Sequence, residues 1–417
     1  MSNVRYVVSA PSYAKQFECI GSSCPDSCCT NWRVDVDKAT YQKLIHLPVS
    51  DVSKRVIAAL EKRTPSTKSQ YAKIRMSSGE CVALTEKKLC GIQALHGESY
   101  LPNVCHFFPR HVFATGLGHE MHLSLACPEA ARLCVEDEEP AMMTEVSVEV
   151  PRGKSFTTQG GFRVGRPEQL LTAYPKVFTL IRNFIERVLR ADDLAPWQQL
   201  LLIQYATEKI DKLRSDCHGK WPEGEIERIL LELMLGMLDG SFQAQTHSLT
   251  ISNKTTELTG KFVEEMTNFR VRMGGLSSNG RQFFSLVAEA FDAYSADRES
   301  NGHLGEAAAC PPFNALALRA AKNFLRNQIG VKNFPSLDAV SMSSQWREIV
   351  ATYALVVFYL RWLAVARGEE FKTEQAVQVI QGFTKLATHN ARFLPELRAQ
   401  LSSAGLDGVA GLVILSQ

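Results

Sequence analysis

Residues Cys19–Cys29 read CIGSSCPDSCC, four cysteines within eleven residues. Cys81, Cys90, Cys105 and Cys127 follow, two of them inside the strings CHFFPR and ACPEAARLC. The N-terminus, MSNVRYVVSAPSYAKQF, lacks a charged lead followed by a long apolar run, so it does not read as a secretion signal. In a reducing compartment, thiols at this density bind a soft metal centre rather than pairing as disulfides. A metal-bound segment needs less core of its own, because binding the metal contributes to folding. The front of the chain is therefore expected to be a loop-rich, cysteine-cluster metal-binding domain, with the cysteines on loops and helices over Asp37–Leu47 and Val52–Arg63.

Working outward, nine of the eleven cysteines lie at or before Cys134. An acidic run, Glu136 to Glu139, then ends at Pro140. It reads as a solvated linker, the alternative being a surface for a cationic lysine substrate. Thr144–Val150, TEVSVEV, alternates like a short strand with one buried face. Pro151, Gly153, Gly160, Gly161 and Gly165 make a turn-rich stretch without the glycine fingerprint of a phosphate loop.

From Pro167 the apolar residues recur at helical spacing, as in Val177, Phe178, Ile181, Phe184, Ile185 and Val188. Further helices are expected over Pro196–Leu213, Glu225–Leu238, Glu257–Arg272, Gln282–Tyr294, Ala315–Gln328, Gln345–Arg367 and Thr373–Ala387. Asp193, Asn279 and Asn314 are candidate caps. The fold class is mainly α: a cysteine-cluster domain over residues 1–135, a linker with a short strand over 136–165, and a helical bundle-like domain over 166–417. No internal repeat is visible.

The chain has 417 residues, 45% hydrophobic and 22% charged, which suits an ordinary soluble protein with a large core. With 46 basic against 44 acidic residues and no basic cluster, nucleic acid is not an expected partner. Ile349–Ala366 approaches the length of a membrane span, but Arg361 sits inside it and Arg347 and Arg367 flank it. It reads as the central buried helix of a bundle, so no membrane is expected and the compartment is the cytoplasm.

Two kinds of centre suit the cysteines. Zinc takes four thiolate or imidazole ligands in a tetrahedron, and an iron–sulfur cluster takes four thiolates around a larger core. The adjacent pair Cys28-Cys29 does not easily point both sulfurs at one small ion, which suggests a cluster, two centres, or a ligand beside a non-ligand. Eight thiolates suffice for two four-ligand sites. His96, His106, His111, His119 and His122 lie close in sequence; any of them could be a ligand or an outer donor, and with cysteine in surplus each reads rather as an outer donor or a surface residue. Phe107, Phe108 and Pro109 are placed to shield the centre, and Arg110 to neutralise it or simply to cap a loop. Cys134, Cys217 and Cys310 read as ordinary residues. The C-x3-C-x2-C motif of radical enzymes using S-adenosylmethionine is absent, since Asn31 stands where its third cysteine would be.

The strings CIGSSCPDSCCTNW, ECVALTEKKLC, LPNVCHFFPR and LACPEAARLC together resemble the flagellin lysine-N-methylase family. That family looks related to a wider group whose C-x-x-C-x-x-CC cluster chelates zinc or iron. This chain departs from the wider spacing, with four residues after Cys19 and three after Cys24. The resemblance implies methyl transfer from S-adenosylmethionine to surface lysines of flagellin, with a [4Fe-4S] cluster. The positions matching the family pattern are Cys19, Cys24, Cys28, Cys29, Cys81, Cys90, Cys105 and Cys127, and metal binding is expected at these. Asp35 and Asp37 are candidates for contacting a lysine ammonium, Asp37 reading rather as a helix cap. The competing expectation is a non-enzymatic zinc- or iron-binding module, in which zinc would be a structural staple.

Overall fold

A helix that is apolar on every face must be covered on every face, and Ile349–Ala366 meets that demand inside the helix Met342–Arg367. The computed structural model describes residues 4–30, 34–114, 118–139, 142–150, 174–247, 253–273, 278–301, 313–336, 341–388, 390, 392–408, 411 and 415. By length and composition this helix would cross a membrane, yet 78% of its most apolar window is buried among its neighbours. Its arginines are accommodated without one. Arg361 stacks over the Phe313 ring at 4.5 Å, and Arg367 grips Glu289 through two hydrogen bonds of 2.9 Å.

The N-terminal part contains β1 (Val4–Pro11), α1 (Ser12–Lys15), β2 (Val34–Val36), α2 (Lys38–Ile45), α3 (Asp51–Ala59), β3 (Leu60–Lys62) and β4 (Ala72–Ile74). Then come β5 (Met76–Ser77), β6 (Glu80–Cys81), α4 (Gly91–His96), α5 (Asn103–Phe107), β7 (Arg110–Ala114), β8 (His119–Leu123), α6 (Pro128–Glu136) and β9 (Met143–Val150). A four-stranded sheet runs in the order β7-β8-β1-β9. The expected strand at Thr144–Val150 is β9, antiparallel to β1 from Val4↔Val150 to Pro11↔Met143. Period-two alternation puts Tyr6, Val8 and Ala10 on the same face as Val146, Val148 and Val150, and that face packs into the main core. The two short helices expected early in the chain are α2 and α3, the first capped by Asp37, which accepts from the Thr40 N–H at 2.9 Å.

The helical part follows as α7 (Tyr174–Leu189), α8 (Pro196–Asp216), α9 (Glu223–Leu238), α10 (Ser241–Thr246), α11 (Asn253–Arg272) and α12 (Ser278–Asn301). It ends with α13 (Ala315–Val331), α14 (Met342–Arg367), α15 (Thr373–Phe383) and α16 (Phe393–Ser403). The mainly α reading holds, but the helix expected over Val52–Arg63 ends at Ala59, because Leu60–Lys62 pair with β4 as the strand β3. Asn314 caps α13, accepting from Leu316 and Ala317. Asp193 does not cap: α8 begins after Ala195, and Asp193 accepts from the Gln243 side chain at 2.9 Å. Asn279 lies within the first turn of α12. The expected helix to Ala387 changes character at Thr384, where residues Thr384–Thr388 form a π turn. The glycine-rich stretch 151–165 lies outside the described residues.

Hydrophobic residues gather in two cores. The larger one joins β1, β8, β9 and α6 to the helices as far as Leu415. The smaller one is built from residues between Val34 and Val104. The sheet docks on α13 through Asn327, whose amide donates to Tyr13 Oη and the Leu123 carbonyl at 2.8 Å each. One turn on, Gly330 lets the buried His122 ring lie against the helix: a Cβ there would sit 2.2 Å from His122 Nδ1. Gly330→Ala is expected to destabilise the fold by about 1–3 kcal/mol, although alanine favours a helix. Gly224→Ala in α9, where a Cβ meets nothing, is expected to be neutral or stabilising by up to about 1 kcal/mol. Urea unfolding of the two variants side by side checks this.

Candidate metal centre

Each cysteine of the constellation is presented by a local structure the sequence encodes. Cys24 ends a short 3-10 turn over Gly21–Ser23, and Cys28 and Cys29 sit in the turn after it. Cys81 lies on β6, which pairs with β5 across Ser78-Gly79. Both turn residues have positive φ, 51° and 82°, the backbone of a type I′ hairpin. Cys90 and Cys127 are the N-cap residues of α4 and α6, and Cys105 lies within α5. The expectation that all eight sit on loops is thus corrected for Cys81 and Cys105. Gly91 admits no side chain: a Cβ would meet Val52 at 2.9 Å and the Ala83 carbonyl at 3.1 Å. That close approach seats Cys90 beside Ala83, through the Gly91 N–H to Ala83 carbonyl bond at 2.8 Å.

The fold brings these residues, 108 positions apart in sequence from Cys19 to Cys127, into one electrostatic neighbourhood. Cys24, Cys29, Cys81, Cys90 and Cys127 all lie within range of the Cys28 charge. Cys24 also feels Cys19, and Cys29 feels Cys90 and Cys105. The Cys81 N–H donates to the Cys29 carbonyl at 2.8 Å, joining the first string to the second. Cys29, Cys81, Cys90 and Cys105 pack against the smaller core and Cys127 against the larger one. The constellation therefore sits where the two cores meet.

Burial and hydrogen bonding act on the thiols in opposite directions. Burial pushes Cys127 up to about 12, although the N–H groups of Ala130 and Glu129 face its sulfur and pull the other way. Cys24, Cys81 and Cys90 are raised by burial and opposed by backbone N–H groups two or three residues ahead: Asp26, Ala83, and Gln93 with Ile92. Such groups stabilise the thiolate, the form that binds metal. Cys28 and Cys29 are hydrogen-bonded to each other. The hydrogen bond from Cys29 holds Cys28 down at about 7, helped by the charge of Lys385, and the same bond holds Cys29 well above the ordinary thiol range.

Lys385 was not foreseen from sequence, and it comes from the far end of the chain. Its ammonium, on the π turn after α15, lies 2.6 Å from Asp26 Oδ2. It also donates to the Ser27 carbonyl at 3.0 Å and to Thr30 Oγ1 at 2.8 Å. One turn earlier, the Gln381 amide donates to Asp26 Oδ2 at 2.8 Å and to the Ala126 carbonyl at 3.1 Å. A single helix end thus grips both the Cys24–Cys29 loop and the residue before Cys127. Arg110 lies within electrostatic range of Cys19 and Cys127: burial lowers its pKa, and Glu98 and these two cysteines oppose that shift.

Among the described residues, no three His, Cys, Asp or Glu side chains converge where a single ion would sit.

The remaining candidates have other tasks. Cys134 is buried in the main core beside Tyr13 and the Asn323 carbonyl, and Cys217 closes α8. Cys310 and Asn31 lie outside the described residues. Asp35 pairs with Arg63 at 3.0 Å and receives the Gln70 amide. In the acidic run, Glu136 binds Arg132 and Asp137 accepts from Ser12 Oγ at 2.6 Å, so part of it is structural. His111 stacks with Phe113 and His119 packs edge-on to Tyr6.

His122 is buried 3.4 Å from Glu120. Burial raises the Glu120 carboxyl, but the His122 hydrogen bond and Arg182 outweigh it and leave the pKa lowered. A carboxyl lowered in the fold adds stability above its unfolded pKa of about 4.3, and that stability is lost as pH falls through the folded value. Glu120→Gln is accordingly expected to lose less stability than the unaltered chain between about pH 5 and pH 3. Unfolding melts across that range check the difference.

Residues 182–415, more than half of the chain, match the model of the FliB lysine N-methylase C-terminal domain. The chain belongs to the FliB lysine N-methylase family. It is 24% identical over 397 residues to a lysine-N-methylase of Salmonella typhimurium, covering 92% of each chain. A lysine-N-methylase of Salmonella choleraesuis is 23% identical over the same share. The flagellar biosynthetic protein FliU of Salmonella muenchen is 33% identical over 147 residues, 33% of this chain and 82% of that one. No solved structure matches. The FliB family model covers the helical part, where no short motif was legible, while the cysteine strings lie ahead of it.

Proposed function

We propose that this FliB-family chain is a cytoplasmic protein-lysine N-methyltransferase. It moves a methyl group from S-adenosylmethionine to lysine side chains of flagellin, with a [4Fe-4S] cluster at the cysteine constellation. The names of the full-length relatives support lysine methylation, and FliU adds a flagellar context. The observation that carries the cluster is the gathering of Cys24, Cys29, Cys81, Cys90 and Cys127 around Cys28 at the junction of two cores.

When bound, such a cluster supplies one-electron chemistry or an iron site for the amino and carboxylate groups of S-adenosylmethionine. The chain's own residues do the rest. The Cys29 hydrogen bond, helped by the Lys385 charge, lowers the Cys28 thiol to about 7 and so favours its thiolate. The N-termini of α4 and α6 direct N–H groups at Cys90 and Cys127. Arg110 and Lys385 offset thiolate charge, which would otherwise repel within a partly buried site. The net transfer forms a carbon–nitrogen bond on lysine and breaks the carbon–sulfur bond of the sulfonium, with one proton leaving the lysine nitrogen.

The test is incubation of anaerobically purified protein with flagellin and methyl-labelled S-adenosylmethionine, followed by peptide mass mapping. Label on flagellin lysines is the expected result. Labelled donor that transfers nothing to flagellin while the cysteine site is metallated would contradict the reading.

A further inference from the structure

A second site lies away from the cysteines, where β8 faces α7 and α13. A cavity of about 200 Å³ is lined there by Glu120, Arg182, Glu186, Arg326 and Asn327, among others. Three of its four charged side chains are largely withdrawn from water, Glu120 being 19% exposed, Arg182 18% and Arg326 15%, while Glu186 at 36% reaches the solvent edge. Charges removed from water are repaid only by close, well-aligned pairing, typically with N···O near 2.7–2.9 Å. The Arg326–Glu186 pair is loose at 3.9 Å, Arg326 also donating to the Leu189 carbonyl at 3.1 Å and Glu186 also facing Arg190 at 3.7 Å; Arg182 lies 3.5 Å from Glu120. Asn327, 3% exposed, spends both amide hydrogens on Tyr13 and Leu123, yet among the described residues its Oδ1 has no hydrogen-bond partner.

Two guanidiniums, two carboxylates and an unused acceptor around one small space are charge-balanced, which favours neither a simple anion nor a simple cation. They suit a molecule carrying both charges a few ångströms apart. We propose that this cavity binds an α-amino acid head group, its carboxylate facing Arg182 and Arg326 and its ammonium facing Glu120, Glu186 and Asn327 Oδ1. The volume falls below the roughly 300–1,000 Å³ of sites for drug-sized ligands, so the cavity holds a head group and short side chain rather than a nucleoside as well. Two sources share this chemistry: a free amino acid, and the methionine part of S-adenosylmethionine. Only the second source rests on the methyl-transfer reading.

Isothermal titration of the full chain with L-methionine, its methyl ester and N-acetyl-L-methionine tests the proposal. Methionine is expected to bind, and each blocked analogue to bind at least about tenfold more weakly, since each loses a charge-assisted contact. Glu120→Gln and Arg182→Gln should weaken methionine by a similar factor while leaving the cysteine site's visible spectrum unchanged. Displacement of S-adenosylmethionine by methionine would assign the head group to the donor; methionine binding without displacement would assign it to a free amino acid. The proposal is overturned if no zwitterion binds, if ester and acid bind equally, or if both variants bind as the unaltered chain does. A colourless preparation that still binds methionine supports the cavity and counts against the cluster alone.

Discussion

Cys28→Ser is expected to strip the metal from the protein and abolish methyl transfer. Cys28 lies within electrostatic range of five other cysteines, and Cys29 and Lys385 lower its thiol to about 7, favouring the form that binds metal. A serine hydroxyl is a poor ligand for iron at neutral pH because it stays protonated where a thiol ionises. Cys127→Ser should behave alike, its sulfur sitting at the head of α6 under the N–H groups of Glu129 and Ala130. Altering partners outside the ligand sphere typically costs about 10–100-fold in affinity or activity, so loss of Cys28 or Cys127 should exceed that range. Cys217→Ser, at the end of α8, should keep both metal and activity. Metal analysis and transfer assays on the three variants decide the matter, and retained metal in Cys28→Ser would show that Cys28 is not a ligand.

The second large effect concerns Lys385. Its side chain is 11% exposed and that of Asp26 8%, so the pair is screened from water on both sides. Removing one partner of such a pair leaves a buried charge without compensation, a cost of about 3–5 kcal/mol. Lys385→Met is expected to destabilise the chain by that order. It should also loosen the Cys24–Cys29 loop, because the same ammonium holds the Ser27 carbonyl and Thr30. Metal should therefore be lost more readily to a chelator, although Lys385 is no ligand. The double variant Asp26→Asn with Lys385→Met should recover part of the stability, since the uncompensated charge is gone. Denaturant unfolding of the two singles and the double measures the coupling. Additive losses would show that the contact does not act as a pair.

The main features of the fold were legible where local chemistry dictates them. Met342–Arg367 is apolar on all sides, so its central burial follows from composition, and Asp37 and Asn314 announce their helices as caps. The strand at Thr144–Val150 showed its alternation plainly. Its partner β1 did not, because Val7 and Val8 are adjacent apolar residues and only Val8 is buried. In β7 and β8 the histidines of RHVFA and HEMHL mask the apolar period, and the parallel β1–β8 pairing spans more than a hundred residues. The identity of the eight cysteines was readable as a group. What was not readable is the clamp on them: Asp26 and Lys385 are 359 positions apart, and no local pattern marks either one. Nor does sequence order reveal that Glu120, Glu186 and Arg326 share a cavity.

The most direct measurement is iron, acid-labile sulfide and zinc content of the anaerobically purified chain, taken with its visible spectrum. The account predicts about four irons and four sulfides per chain, and the broad absorption of a thiolate-bound cluster. Stoichiometric zinc in a colourless protein would contradict it and make the cysteines a structural staple.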